Sequence, residues 1–211
     1  MKHTFVYAAV AVAAAVGGFL LYGWYAKSGP SSGTPSAALE AAGTIPETLP
    51  DFTLLDRAGD PRSIRSWPNR SMIVNFWATW CAPCRREIPL LRQIQREHGE
   101  DGFQVVGVAV DFRDDVIAYA EEIGIDYPLL IGEEDGLEAV NAFGISAVGF
   151  PFTVFTDVQG RIVTLHLGEL TAPQSEVILA AIREVNRGEL TVAEARTRVA
   201  EGLAEVANEH G

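Results

Sequence analysis

The sequence predicts an α/β domain: a mixed central β-sheet flanked by helices. Three observations lead there. The runs Ser71–Trp77 and Phe103–Val110 are short, apolar and bounded by turn residues, as buried strands are. Between and after them come segments with helical apolar spacing, such as Pro83 to His98, where Ile88, Leu91 and Ile94 share one side. The order of elements is a β-α-β unit followed by a β-β-α unit, which wraps helices around a sheet that is partly parallel.

Taken in order, the first element is apolar. Thr4 to Ala26 carries no charge, and a helix of that length rises about 34 Å, enough for the roughly 30 Å hydrocarbon core of a bilayer. Tyr22, Trp24 and Tyr25 lie at its far end as an interfacial belt would, and Lys2 precedes it, so residues 1–26 read as a membrane anchor with its N-terminus in the cytoplasm. A cleaved signal peptide is the alternative, but its apolar region spans about 7–15 residues, and Ser36-Ala37-Ala38 is only a distant cleavage site. Either way the rest of the chain is exported. Residues 27–49, opening with Ser28-Gly29-Pro30-Ser31-Ser32-Gly33, read as a flexible linker.

The domain is expected over residues 50–188. Phe52–Leu55 and Ile64 flank turn material from Asp56 to Pro61, a small hairpin. After the first long strand and helix, Phe103–Val110 is a second buried strand, Val116–Ile123 a helix, Leu129–Ile131 a short strand and Gly136–Phe143 a helix. Phe152–Thr156 and Arg161–Leu167 enclose Asp157-Val158-Gln159-Gly160, a hairpin signal, and Pro173 to Arg187 closes as a helix. In residues 189–211, Leu190, Val192, Ala195, Val199, Leu203 and Val206 trace a helical apolar stripe expected to pack on the domain.

Composition narrows the chemistry. Sixteen Lys and Arg against 28 Asp and Glu give a net charge of -12, which argues against nucleic-acid binding. The stretch from Glu97 to Glu138 holds thirteen acidic residues against Arg113, by default a solvated face, and otherwise one that repels acidic partners or attracts basic ones. Only two cysteines occur, Cys81 and Cys84, so neither a disulfide scaffold nor a four-ligand zinc ribbon is expected. The histidines form no ligand pattern, and His166 reads as structural. No metal and no cofactor are expected.

The two cysteines sit in Trp80-Cys81-Ala82-Pro83-Cys84, where a strand runs in and a helix runs out. This is the setting of a thioredoxin-like redox pair. Cysteines three apart in a first helical turn are within disulfide reach. The leading sulfur, on Cys81, faces the unpaired N–H groups and positive end of the helix, which stabilise a thiolate. Pro83 fits the first turn because its missing N–H has no helical partner there. A purely structural role is weak, because so short a loop removes little chain entropy. Trp80 borders the thiol, Trp77 is expected to be packing, and Pro89 should kink its helix.

Val-Asn-Phe-Trp-Ala-Thr-Trp-Cys-Ala-Pro-Cys-Arg-Arg-Glu-Ile-Pro, from Val74 to Pro89, resembles the active-site segment of TlpA/ResA-like thiol–disulfide oxidoreductases. That family has a thioredoxin-like fold and a membrane anchor, and acts in the bacterial periplasm or on the cell exterior. The resemblance implies a catalytic pair Cys81 and Cys84, with Gly149-Phe150-Pro151 carrying the family's cis-proline, although Phe152 stands where Thr is usual. It also implies a buried Asn75 in place of the Asp of thioredoxins, and Glu87 as the acidic residue that accepts the Cys84 proton. It further implies electrons from a membrane thiol transporter of the DsbD/CcdA kind, and clients of cytochrome c maturation or oxidase copper-site assembly. A peroxidase of the peroxiredoxin type shares the fold but combines a Thr with an isolated peroxidatic Cys in a Pro-rich loop, which this sequence does not. A redox-inactive binding module using the groove at Pro151 is the reading from another class.

Overall fold

The computed structural model describes residues 45–145 and 149–209. The anchor expected at residues 1–26 and most of the expected linker lie outside them. Among the described residues, no helix is long and apolar enough to cross a membrane.

The order of elements is β1 (Thr53–Leu55), β2 (Pro61–Ser63), β3 (Ser71–Trp77), α1 (Ala82–His98), β4 (Phe103–Ala109), α2 (Arg113–Glu122), β5 (Leu129–Ile131), α3 (Glu134–Asn141), β6 (Phe152–Thr156), β7 (Ile162–Leu167), α4 (Ala172–Asn186) and α5 (Val192–Glu209). One seven-stranded sheet runs β2-β1-β5-β4-β3-β6-β7. β3, β4 and β5 are parallel, joined by helical crossovers, while β1, β6 and β7 pair antiparallel with their neighbours. This is a thioredoxin-like α/β fold. All seven residues of β3 are buried, the signature of a strand covered on both faces.

The period of two in β3 divides the core. Ile73 and Trp77 join the cluster formed with α1, α2, α4 and α5, whereas Val74 and Phe76 join the cluster under α3. Register sets Asn75 between Gly107 of β4 and Thr153 of β6, in the middle of the sheet. Gly107 has to be glycine. A Cβ there would lie 2.7 Å from Leu129 Cδ2 and 3.1 Å from both Trp77 Nε1 and Tyr127 Cε2, so two buried rings occupy the space a side chain would need. α1 continues through Pro89, whose ring is on the exposed side.

The folded part begins before residue 50. Leu49 is buried and its N–H donates to Gly160 O, and Thr48 bridges Arg161, so residues 45–49 belong with the domain and not with a linker. At the other end α5 is capped reciprocally: the Thr191 N–H and hydroxyl donate to Glu194 Oε2, and the Glu194 N–H donates to Thr191 Oγ1. Ala195 and Val199 enter the core. Arg196 Nη2 donates to Ile162 O at 2.7 Å and to Glu47 Oε2 at 2.9 Å, tying α5 to β7 and to the entering segment.

Candidate active site

β3 ends at Trp77, and the chain turns through Ala78, Thr79 and Trp80 into α1. Cys81 is the N-cap of that helix, with extended backbone angles, and its sulfur accepts the Cys84 N–H at 3.3 Å. A sulfur can take the capping position that a Ser or Asp oxygen usually holds, and ionisation strengthens the bond. Pro83 lies in the first turn. The two cysteines form a disulfide with Cα atoms 5.3 Å apart. Cys81 keeps 5% of its surface exposed and Cys84 none, so of the two residues Cys81 is the one nearer to solvent.

One turn further on the same face is Glu87, 1% exposed. Asn75 Nδ2 donates to its Oε1 at 2.7 Å and the Leu170 N–H to its Oε2 at 2.8 Å. Burial nevertheless pushes its pKa up to about 7, because desolvation outweighs the two hydrogen bonds, and the nearby Glu169 charge adds to the rise. Asn75 Nδ2 also donates to Thr153 Oγ1 at 3.0 Å, so one side-chain amide links three elements. Three buried polar atoms on this face, Asn75 Oδ1, Trp77 Nε1 and Tyr127 Oη, have no hydrogen-bond partner among the described residues.

Two ion-paired or capped loops frame the site. Asp111, just past β4, accepts the Thr79 N–H at 2.9 Å and the Thr79 hydroxyl at 2.5 Å on Oδ2, and the Phe112 N–H at 2.8 Å on Oδ1. Thr79 stands two residues before Cys81, yet its hydroxyl is directed to Asp111. On the other side, Arg86 holds Glu169 through three hydrogen bonds, two from Nε at 3.1 and 2.9 Å and one from Nη2 to Oε2, beside the Leu170 N–H that reaches Glu87. The Arg85 guanidinium lies 6.0 Å from the Tyr119 ring centroid. The Phe150–Pro151 peptide is cis and immediately precedes β6. Trp80 is 70% exposed and 6.1 Å from the Phe150 ring.

The structure therefore brings Asn75, Cys84 and Glu87 together in the interior, with Cys81 at its edge, Pro83 half-buried and Trp80 at the surface. His166, on β7, is half-buried, with Nε2 3.3 Å from Glu169 O, and burial lowers its pKa. Sequence reasoning missed Thr153, Leu170 and Asp111. Asp111 left one usable signal: it follows the carboxyl end of a parallel strand next to the strand that leads to Cys81, where sites of α/β sheets gather.

Comparison with known proteins agrees with this geometry. Residues 45–165 match the AhpC/TSA family. ResA of Geobacillus thermodenitrificans, named a thiol–disulfide oxidoreductase, is 28% identical over 68% of this chain and 81% of its own. The thioredoxin-like protein YneN of Bacillus subtilis is 31% identical over 62% of this chain and 75% of its own. Among solved structures, a secreted thiol–disulfide isomerase from Corynebacterium glutamicum superposes with a TM-score of 0.58 at 29% identity, over 65% of this chain and 85% of that one. With a Cys-x-x-Cys disulfide at the start of a helix and these relatives, the chain belongs to the AhpC/TSA family as a ResA-like thiol–disulfide oxidoreductase.

Proposed function

We propose that the protein is a membrane-tethered reductase of disulfides in exported client proteins, of the cytochrome c maturation or oxidase copper-site kind, recharged by a membrane thiol transporter of the DsbD/CcdA kind. On this reading the apolar segment 4–26 holds the catalytic domain at the outer face of the inner membrane. The carrying observation is the Cys81–Cys84 disulfide at the start of α1, with Cys84 fully buried and Glu87 on the inner side. The Cys81 thiolate attacks one sulfur of a client disulfide, and the other client sulfur leaves as a thiolate. Glu87, with a pKa near neutrality, takes the Cys84 proton directly or through water. Cys84 then attacks Cys81 Sγ, the second client sulfur leaves, and two electrons have passed to the client.

The surroundings of Cys81 favour reduction over oxidation. Ala82 and Pro83 offer its thiolate no charge and no side-chain hydrogen bond. Arg86 is neutralised by Glu169, and the exposed Arg85 lies over Tyr119. On this reading the thiolate is stabilised mainly by the helix terminus, and the expected potential is nearer thioredoxin's roughly -270 mV than the about -120 mV of the oxidant DsbA. Equilibrating the full chain in detergent with graded thiol–disulfide buffers, read by tryptophan fluorescence, tests this. A midpoint near -120 mV makes the protein an oxidant. A reporter fused after Gly211 should be active only outside the cytoplasm and stay with membranes, and a soluble form lacking residues 1–26 refutes the tether.

A further inference from the structure

Beside Cys81 lies a groove of about 350 Å³ walled by Trp80, Val110, Phe112, Leu137 and Phe150. Three of these are strongly exposed, Trp80 at 70%, Phe112 at 61% and Leu137 at 51%, and together with Phe150 they make one apolar patch. Its walls are fixed from beneath. Phe150 stacks on Phe152 at 6.4 Å, Phe152 on Phe76 at 4.4 Å, and Phe76 meets Phe143 edge-on at 5.4 Å, an aromatic ladder that joins the patch to the core. Asp111 holds the Trp80 and Phe112 loops in place through the Thr79 and Phe112 N–H groups.

The rim is negative. Glu133 and Glu134 line the groove, Asp135 adjoins them, and none of the three forms an ion pair among the described residues. Asp114 and Asp115 are exposed in the first turn of α2. Opposing them are Arg113 and the positive ends of α2 and α3, worth about half a charge each. The three carboxylates of Glu133, Glu134 and Asp135 exceed that sum of about two positive charges, so the field at the groove mouth attracts cations.

We infer that this groove selects the client: it takes an extended segment with a bulky apolar residue beside its reacting cysteine and a Lys or Arg reaching Glu133 and Glu134. This deepens the oxidoreductase reading and rests on it. The occupied groove also orders the attack, because a side chain seated between Trp80 and Phe150 holds the neighbouring client sulfur over the exposed edge of Cys81.

The test uses the reduced full chain in detergent, mixed in stopped flow with disulfide-linked peptide dimers as two-electron acceptors. The dithiol becomes the Cys81–Cys84 disulfide and each dimer becomes two peptide thiols. Three probes share one cysteine: an apolar–basic, an apolar–acidic and a glycine–basic peptide. The apolar–basic dimer should react at least tenfold faster than either of the others at low salt, and its lead over the acidic one should shrink severalfold in 1 M salt, as screening requires. Because the whole chain is acidic, the deciding measurement is the Glu133→Gln/Glu134→Gln variant, which should bring the basic-to-acidic ratio below about threefold. Leu137→Ala should do the same to the apolar-to-glycine ratio. Equal rates for the three dimers, or ratios unmoved in these variants, overturn the groove while leaving the redox reading intact. Failure to reduce even glutathione disulfide overturns the redox reading itself. Sedimentation showing a dimer that Leu137→Ala dissolves assigns the patch to a second copy of the chain and overturns the proposal.

Discussion

Asn75, in the middle of β3, donates a 2.7 Å hydrogen bond to Glu87, twelve residues later on α1. The strand leading to the cysteines and the helix leaving them are thereby joined beneath the disulfide by a neutral donor and a carboxyl group. An aspartate at residue 75 would set two carboxylates against each other there. An asparagine instead supplies a donor, and leaves Glu87 as the buried group able to exchange a proton near neutral pH.

Glu87 should make stability fall as pH rises. Its folded pKa of about 7 exceeds the ordinary 4.5, so the native state binds the proton more tightly than the unfolded one. Below about pH 4.5 the penalty is absent, between 4.5 and 7 it grows, and above 7 it is constant at about 3 kcal/mol, from 1.36 kcal/mol per unit. Denaturant unfolding of the oxidised wild type and of Glu87→Gln should show the difference moving in favour of the variant by roughly that amount between pH 4.5 and 8. A constant difference means the carboxyl titrates normally.

The cysteines should behave asymmetrically. Cys84→Ser leaves Cys81, at the helix start, to capture disulfides with nothing to release them, so mixed disulfides accumulate, whereas Cys81→Ser leaves only the fully buried Cys84 thiol and traps almost none. Non-reducing gels of cells carrying each variant decide it. Comparable trapping by both reverses the nucleophile assignment.

Resolution of a mixed disulfide should follow the ionisation of Glu87. In the wild type the resolving rate should rise through about pH 7, and in Glu87→Gln it should be slower and its rise displaced to higher pH. Stopped-flow release of a chromogenic thiol from the Cys81 adduct measures this. An unaltered profile removes Glu87 from the proton transfer.

Asp111→Ala should lower stability by about 1–3 kcal/mol, because two backbone N–H groups and the Thr79 hydroxyl lose a charged acceptor. Asp111→Asn, which keeps an acceptor oxygen, should recover part of the loss. Thermal unfolding of both variants checks the order.

Gly107→Ala should cost about 1–3 kcal/mol through overpacking, since the new methyl meets the buried Trp77 and Tyr127 rings as well as the Leu129 methyl. A shift of Trp77 fluorescence should accompany the drop in denaturation midpoint. Wild-type stability would mean that the rings have room to move.

The elements nearest the chemistry were legible because their signals are local. β3 is a seven-residue apolar run, and the Cys-Ala-Pro-Cys segment carries its own helix start, so strand, turn and nucleophile can be read without the rest of the chain. Asp111, Thr153 and Leu170 were not, because their partners stand 32, 78 and 83 residues away and meet them only through sheet register and loop closure. Leu170 contributes a backbone N–H, which no residue type announces. Residues 45–49 were misassigned for a related reason: their order comes from pairing with residues 160–162, whereas their own composition resembles that of the linker before them.

Arg196 and the entering segment have a consequence for the sheet's margins. At the β7 margin, Ile162 gives its N–H to Glu47 O and its carbonyl to Arg196, so groups that another strand would seek are already taken. At the opposite margin, β2 is three residues long and begins with Pro61, which has no N–H to offer. The sheet is thus covered at Ile162 on one margin and shortened by Pro61 on the other, and removing the chain from Arg196 onward should free the Ile162 carbonyl for an added strand, which light scattering of the truncated chain would register as association.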